Sequence, residues 1–246
     1  MNRTITTPSP AQQTLPSVSS VRIKERRHSS REDKRNERVL SSLLDRLVEH
    51  HAPTYEHCRR VASLSRQLAL RLHMSRDDVR AAFSAGLLHD IGHIVTPVEL
   101  LDHEGPLAPR LWAELHQHAG EGHALLTGVV FDPRVLACIR DHHERPNGTG
   151  YPNGLHLCEP ITALVAVADH FDTVIRAWGR LRGSVLSRAL ADIRRRAGRQ
   201  LDFALCRAMH DLFNEPWGSE PTDGTNPCSA GTGDRRVTVA APVCYR

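Results

Sequence analysis

The sequence of 246 residues contains no apolar run long enough to cross a bilayer, since a membrane helix needs about 18 or more apolar residues in succession. Its N-terminus also lacks the apolar core of a secretory signal peptide. We therefore expect a cytoplasmic protein with no membrane span. The net charge of +4 is mild, and it gives no reason to expect a nucleic-acid-binding domain.

Cysteine is present, but no Cys-x-x-Cys pair and no regular spacing occur. A structural zinc site or a disulfide framework would need such a pattern. We interpret the six cysteines as ordinary buried or tail thiols; they are Cys58, Cys138, Cys158, Cys206, Cys228 and Cys244.

The sequence also lacks internal repeats and segments in which apolar and polar residues alternate as in a half-buried strand. Apolar residues recur instead at helical spacing, so we expect an all-α fold with one helical domain over residues 31–213. Residues 1–30 and 214–246 are predicted to be a disordered leader and a disordered tail. The basic segment 22–38 suits contact with nucleic acid or acidic lipid, but interleaved acidic residues favour a solvated helix start.

Histidine, in contrast, is abundant, with 16 residues. Neutral imidazole is the commonest metal ligand in proteins. The stretch Ala81–His93 shows why this matters, because an apolar helical stripe leads directly to Asp90, with His89 at its edge. Either this helix end emerges into water, or the pair is buried and a partner compensates its charge. The predicted stripe consists of Val79, Ala82, Phe83, Gly86 and Leu87.

Seven residues of ligand type lie on, or directly beside, the apolar faces of separate predicted helical segments. A single inward histidine is ordinarily a hydrogen-bonded core residue. Five imidazoles and two carboxylates in one core would lose much hydration energy without a shared partner, and metal ions are the natural one. Seven ligands exceed a single four-coordinate site and suggest two metals with a bridging carboxylate. Nitrogen and oxygen donors without thiolate favour iron or manganese. The residues are His57, His89, Asp90, His118, His142, His143 and Asp169.

One choice within this set follows from helical geometry. His116 and His118 are two positions apart, so their side chains diverge by about 200° at 3.6 residues per turn. Leu111, Leu115, Gly122 and Leu125 form the apolar stripe of this helix. The stripe selects His118 as the inward residue.

Four motifs follow one another in the chain. In order and spacing they resemble the HD-GYP family, all-helical members of the HD metal-dependent phosphohydrolase superfamily that hydrolyse cyclic dimeric GMP. The similarity covers about residues 53–213. It implies an HD-type helical bundle with a dinuclear metal site in its core, and an enzyme that opens cyclic di-GMP to pGpG or GMP. The motifs are His89-Asp90-Ile91-Gly92, His142-His143-Glu144-Arg145, Asn147-Gly148-Thr149-Gly150-Tyr151-Pro152-Asn153-Gly154-Leu155 and Ala166-Val167-Ala168-Asp169-His170-Phe171-Asp172.

The resemblance also implies roles for individual residues. Asp90 is the implied catalytic residue, which bridges the two metals and handles a proton. The signature loop is expected near the substrate and at a surface that contacts diguanylate-cyclase (GGDEF) domains, and Arg145 and Arg180 are expected substrate contacts. The implied ligands are His57, His89, Asp90 and Asp169 for one metal, and His118, His142 and His143 for the other; the loop residues are Gly150, Tyr151 and Pro152.

Two positions and one segment depart from the family pattern. His93 replaces a lysine that lies near the substrate phosphate, and we predict that His93 is catalytic in its place. Pro53 replaces a glutamate that holds a third metal in some members. The arginine-rich segment after the last motif is replaced by residues 178–181. Two alternatives follow: a phosphohydrolase for another nucleotide, or a catalytically weak protein that binds GGDEF domains or nucleotide.

Overall fold

The computed structural model describes residues 31–130, 132–156, 158–178 and 185–217. The predicted leader, residues 218–246 of the predicted tail and Arg180 lie outside this part of the chain. The chain divides into two units, Met1–Arg35 and Asn36–Arg246, and the description below concerns the second. No helix among the described residues has both the length and the apolar content that a membrane span requires.

Helices supply all the regular structure of the described residues, where β pairing is limited to two isolated bridges. The all-α prediction is confirmed. A short 3-10 helix, Ile91–Val95, follows α2. The α-helices are α1 (Arg31–Arg71), α2 (Arg76–Leu88), α3 (Val98–Leu101), α4 (Pro109–Leu126), α5 (Pro133–Asp141), α6 (Pro160–Trp178), α7 (Val185–Arg196) and α8 (Phe203–Leu212).

A break at His51 divides α1 into two helical segments, as the position of Pro53 predicts. The backbone of His51 is non-helical, with φ −154° and ψ 87°. Its Nδ1 accepts the Thr54 backbone N–H at 3.3 Å, and its Nε2 then donates to Asp102 Oδ1 at 3.1 Å. The His51 side chain therefore caps the second segment as a serine or aspartate does in other helices.

Helix α2 begins as predicted, because the Ser75 hydroxyl accepts the Asp78 backbone N–H at 3.1 Å. Its buried face differs from the predicted stripe, however: Ala82 and Gly86 are buried, whereas Val79, Phe83 and Leu87 are only half-buried. Small residues explain the difference. A Cβ at Gly86 would lie 2.9 Å from the Ala62 Cα of α1, so the helices approach most closely where side chains are smallest. The buried residues of α2 are Ala81, Ala82, Ala85, Gly86 and Leu88.

The 3-10 helix packs directly on α4. A Cβ at Gly92 would lie 2.0 Å from the carbonyl oxygen of His118 and 2.6 Å from the Gly122 nitrogen. Helix α4 buries Leu115, His118 and Gly122, as predicted, but Leu111 is exposed and Leu126 is buried in place of Leu125. This contact fixes the residues after α2 against His118.

Helix α6 lies at the centre and is buried almost all round near its start, as its apolar run predicts. Helices α7 and α8 pack beside it. The packed part of the chain extends to Trp217, whose ring lies 4.8 Å from His210 and 5.4 Å from Phe203. Residues 214–217 of the predicted tail therefore belong to the folded domain.

Gly92→Ala should strongly destabilise the protein, because the new methyl group meets backbone atoms that cannot move independently. Overpacking costs about 1–3 kcal/mol or more, and we expect the upper end of that range in urea unfolding of the metal-free protein. Gly120→Ala is the matched control: it lies in α4, and a Cβ there meets nothing within 4 Å. This control should stabilise the helix by up to about 1 kcal/mol. Equal stability of the two variants would contradict the packing described.

Candidate metal centre

Two clusters of ligand-type side chains meet in the core, and together they contain all seven of the predicted residues. Within each cluster the ligand atoms lie within 4.8 Å of one another. Residues from α1, α4 and α6 and from the segments after α2 and α5 contribute to them. The first cluster is His57, His89 and Asp169; the second cluster is Asp90, His118, His142 and His143.

Asp90 lies between the clusters and faces both. Its Oδ2 is 3.3 Å from His89 Nε2 and 3.7 Å from His57 Nε2. Its Oδ1 is 3.4 Å from His118 Nε2 and 3.6 Å from His142 Nε2. One carboxylate thus directs one oxygen to each cluster, which is the geometry of a bridging ligand.

The imidazoles are oriented by hydrogen bonds on their other nitrogens. Nδ1 of His89 is 2.9 Å from the carbonyl oxygen of Gly86, and Nδ1 of His118 is 2.7 Å from that of Leu115. A carbonyl oxygen only accepts, so Nδ1 carries the proton in each ring. In the neutral ring, Nε2 therefore presents a lone pair to the cluster. Such outer hydrogen bonds are typical of metal-binding histidines.

The arrangement of these lone pairs fits a cation. The Nε2 atoms of His118 and His142 are 3.3 Å apart, and His142 Nδ1 is 3.1 Å from the Ile139 carbonyl oxygen, so neither neutral ring has a proton to place between them. Nε2 of His89 is buried and has no hydrogen-bond partner among the described residues. Buried acceptors that face one another are costly. The nitrogen and oxygen donors of the two clusters therefore fit metal ions.

The clusters differ in their electrostatics. Burial lowers the pKa of His57, but hydrogen bonds with Asp169 and Asp172 outweigh it and raise that pKa to about 10. In the second cluster burial dominates and lowers the pKa of His118 to about 4. Burial and the neighbouring His142 likewise hold the pKa of His143 well below its usual value. His118 and His143 therefore present neutral imidazoles at neutral pH, whereas protons compete with a cation at His57 in the first cluster.

Asp172 orients His57 from behind. Its Oδ2 accepts from His57 Nδ1 at 2.7 Å, and the Arg60 guanidinium donates to both of its oxygens, at 2.7 and 3.0 Å. Burial raises the pKa of Asp172, but the bonds from His57 and Arg60 outweigh it and lower that pKa. The carboxylate stays ionised and holds the His57 ring toward the first cluster. Nothing in the helical periodicity indicates Arg60, whose contact spans 112 positions.

The Gly150-Tyr151-Pro152 loop packs on the second cluster. The Tyr151 ring lies between His116, at a centroid distance of 3.7 Å, and the ligand-type residue His143, at 4.5 Å. Buried Glu144 accepts the backbone N–H groups of Asn153 at 2.6 Å and Leu155 at 2.8 Å. The loop is thus anchored by Glu144. His116 is not a member of the second cluster, and sequence reasoning missed its contact with Tyr151.

The remaining predicted site residues have different surroundings. His93 is fully buried, its ring stacks on His118 at 4.1 Å, and its Nε2 is 3.8 Å from Asp90 Oδ1. It adjoins the second cluster instead of facing open space. Arg145 is half-buried, and burial lowers the pKa of its guanidinium. Arg180 lies outside the described residues.

Comparison with known proteins places these observations in a family. The HD domain family profile matches residues 38–205. The chain is 32% identical over 180 residues to the "Cyclic di-GMP phosphodiesterase response regulator RpfG" of Xanthomonas campestris, covering 71% of this chain and 47% of that protein. It is 32% identical over 126 residues to the "3'3'-cGAMP-specific phosphodiesterase 1" of Vibrio cholerae, covering 50% of this chain and 29% of the relative. The chain thus spans less than half the length of these relatives.

Solved structures share the fold at lower identity. The cyclic GMP-AMP specific phosphodiesterase V-cGAP3 of Vibrio cholerae superposes with a TM-score of 0.56 at 19% identity, covering 74% of this chain and 49% of that one. Bd1817, an HDG"Y"P protein of Bdellovibrio bacteriovorus, superposes with a TM-score of 0.53 at 24% identity, covering 65% of this chain and 52% of that one. These likenesses support the helical architecture.

Asp172→Asn should weaken metal binding at the first cluster, because an amide neither carries the charge nor holds His57 as firmly. Loss of such an outer carboxylate typically costs about 10–100-fold in metal affinity. Calorimetric titration of metal-stripped protein with Mn²⁺ measures the change. Asp211→Asn, which alters an exposed carboxylate on α8, should bind as the wild type does. Unchanged affinity in Asp172→Asn would show that Asp172 plays no part in orienting the ligand.

Proposed function

Because this chain belongs to the HD domain family, we propose that it is a metal-dependent phosphodiesterase that hydrolyses a cyclic dinucleotide, with cyclic di-GMP as the preferred substrate. The observation that carries the proposal is Asp90, which directs one oxygen to each of two imidazole clusters. Cyclic di-GMP and 3'3'-cGAMP both occur in the names of relatives. Of these two nucleotides we prefer cyclic di-GMP, because the four sequence motifs resemble the HD-GYP family, whose members hydrolyse it.

The clusters suit two divalent ions, iron or manganese, which when bound would supply Lewis-acid activation of a water molecule and of the scissile phosphate. The protein's own contribution is positioning. Asp90 fixes the separation of the clusters, and the Nδ1 hydrogen bonds of His89 and His118 keep each Nε2 aimed inward. Asp172 does the same for His57. Burial of these groups strengthens every charge interaction in the site.

The substrate side is formed by Arg145 and the Gly150-Tyr151-Pro152 loop. Arg145 follows His143 by two residues, and no acidic side chain pairs with it among the described residues. A half-buried guanidinium of this kind suits a phosphate oxygen. His93 has a positioning role in this proposal, since its fully buried ring stacks on His118. It is therefore assigned to the second cluster and not to the substrate phosphate.

Asp90→Asn should remove metal and activity together. The amide cannot bridge two cations, and it leaves the lone pairs of both clusters without their shared anion. We expect loss of bound Mn²⁺ by elemental analysis and at least about a hundredfold lower turnover of cyclic di-GMP, the loss that removal of one electrostatic group commonly causes. Asp211→Asn again serves as the control. Full turnover by metal-free Asp90→Asn protein would rule out the mechanism.

Substrate preference is tested with a panel of cyclic dinucleotides on the manganese-loaded wild type. We expect cyclic di-GMP to give the highest kcat/KM, followed by 3'3'-cGAMP and then cyclic di-AMP. Chromatography of the products separates pGpG from GMP. If cyclic di-GMP were the poorest substrate, the alternative of another nucleotide would replace this proposal. Two bound metals without turnover of any cyclic dinucleotide would favour the binding protein.

A further inference from the structure

A buried thiol lies beside the first cluster. Cys58 follows His57 on α1 and is fully buried. Its sulfur and the ligand atoms of His89 and Asp90 all lie within 4.8 Å of one another. These three residues are called the thiol cluster below. Two ligand atoms that each lie about 2.0–2.3 Å from one ion are at most about 4.6 Å apart, so small side-chain shifts suffice for all three to bind one cation.

The His89 ring points into the same space. Nε2 of His89 is buried and has no hydrogen-bond partner among the described residues. Because His89 Nδ1 donates to the Gly86 carbonyl oxygen, that Nε2 presents a lone pair in the neutral ring. Asp90 Oδ2 lies 3.3 Å from it. An imidazole nitrogen, a carboxylate oxygen and a thiol therefore converge on this space.

His89 belongs both to the first cluster and to the thiol cluster. Its Nε2 can bind only one ion at a time, with His57 and Asp169 or with Cys58, so the two sites exclude each other at His89. We propose that Cys58, His89 and Asp90 form an alternative metal site for a thiophilic divalent cation such as Zn²⁺ or Cd²⁺, and that its occupation inhibits the enzyme. The inhibitory part rests on the proposed function, but the site itself does not.

The chemistry of the site follows from its donors. As the sulfur–metal bond forms, the S–H proton of Cys58 passes to solvent, and no oxidation occurs. Thiolate prefers zinc-like ions, whereas carboxylate-rich sets suit manganese. Because Nε2 of His89 binds one ion at a time, an ion held by the thiol cluster leaves His57 and Asp169 without their third ligand. Thiophilic ions should therefore disrupt the set of metal ligands that hydrolysis requires, whereas manganese should not.

Cobalt reports thiolate ligation directly. Metal-stripped full-length wild type is titrated anaerobically with Co²⁺, and the near-ultraviolet absorption is recorded for a thiolate-to-cobalt charge-transfer band. We expect this band in the wild type and in the control Cys206→Ser, whose buried thiol lies on α8. The band should be absent from Cys58→Ser. A wild type without the band, or a band that persists in Cys58→Ser, would overturn the proposal.

A second measurement does not depend on the folding of a variant. The ¹¹³Cd NMR resonance of the cadmium-loaded wild type should lie downfield of the range for nitrogen and oxygen ligands alone, because thiolate deshields cadmium. A resonance confined to that range would contradict the site even if Cys58→Ser failed to fold.

Inhibition is measured against each protein's own manganese-supported rate. Cd²⁺ should inhibit wild type and Cys206→Ser at concentrations at least about tenfold below those needed for Cys58→Ser, which corresponds to about 1.4 kcal/mol of ligation. Equal sensitivity would overturn the inhibitory role. A wild type that shows the cobalt band but hydrolyses no cyclic dinucleotide would refute the proposed function and leave the thiol site intact.

Discussion

The buried carboxylate of Asp90 is the constraint on which the rest of the structure depends. An ionised carboxylate in a low-dielectric core requires compensating charge, and here imidazoles from separate elements surround it on both sides. The helices must approach closely to bring those rings together. Gly92 packs against the backbone of α4, and Gly86 packs against Ala62, which allows that approach. The geometry of the centre therefore depends on small residues at these helix contacts.

Two kinds of hydrogen bond hold the imidazoles in place, and they differ in reach. His89, His118 and His142 each donate Nδ1–H to a carbonyl oxygen three residues earlier in the chain. Their orientation is therefore built into the local helical backbone. His57 is instead held by Asp172, which is 115 positions away. The orientations of His89, His118 and His142 thus follow from local structure, whereas that of His57 depends on the contact of α6 with α1.

This difference explains how much could be predicted from the sequence. Helical periodicity placed His118 inward and His116 outward, and the proline at position 53 indicated the break in α1. Periodicity treats all apolar residues alike, so it favoured Phe83 and Leu87 for the buried face of α2, where close packing selects alanine and glycine. The stack of Tyr151 on His116 and the position of Cys58 beside His89 arise from contacts between elements. No spacing within one helix reports such contacts.

The stacking of Tyr151 on His143 has a thermodynamic consequence. The His143 ring supplies a nitrogen to the second cluster and also contacts the Gly150-Tyr151-Pro152 loop. Metal binding at the cluster and the conformation of the loop are therefore coupled through this ring. Linkage makes that coupling reciprocal. If a bound ion favours one loop conformation by a given factor, a molecule that binds this conformation raises the affinity for the ion by the same factor. A ligand of the loop would in this way also help to retain metal in the second cluster.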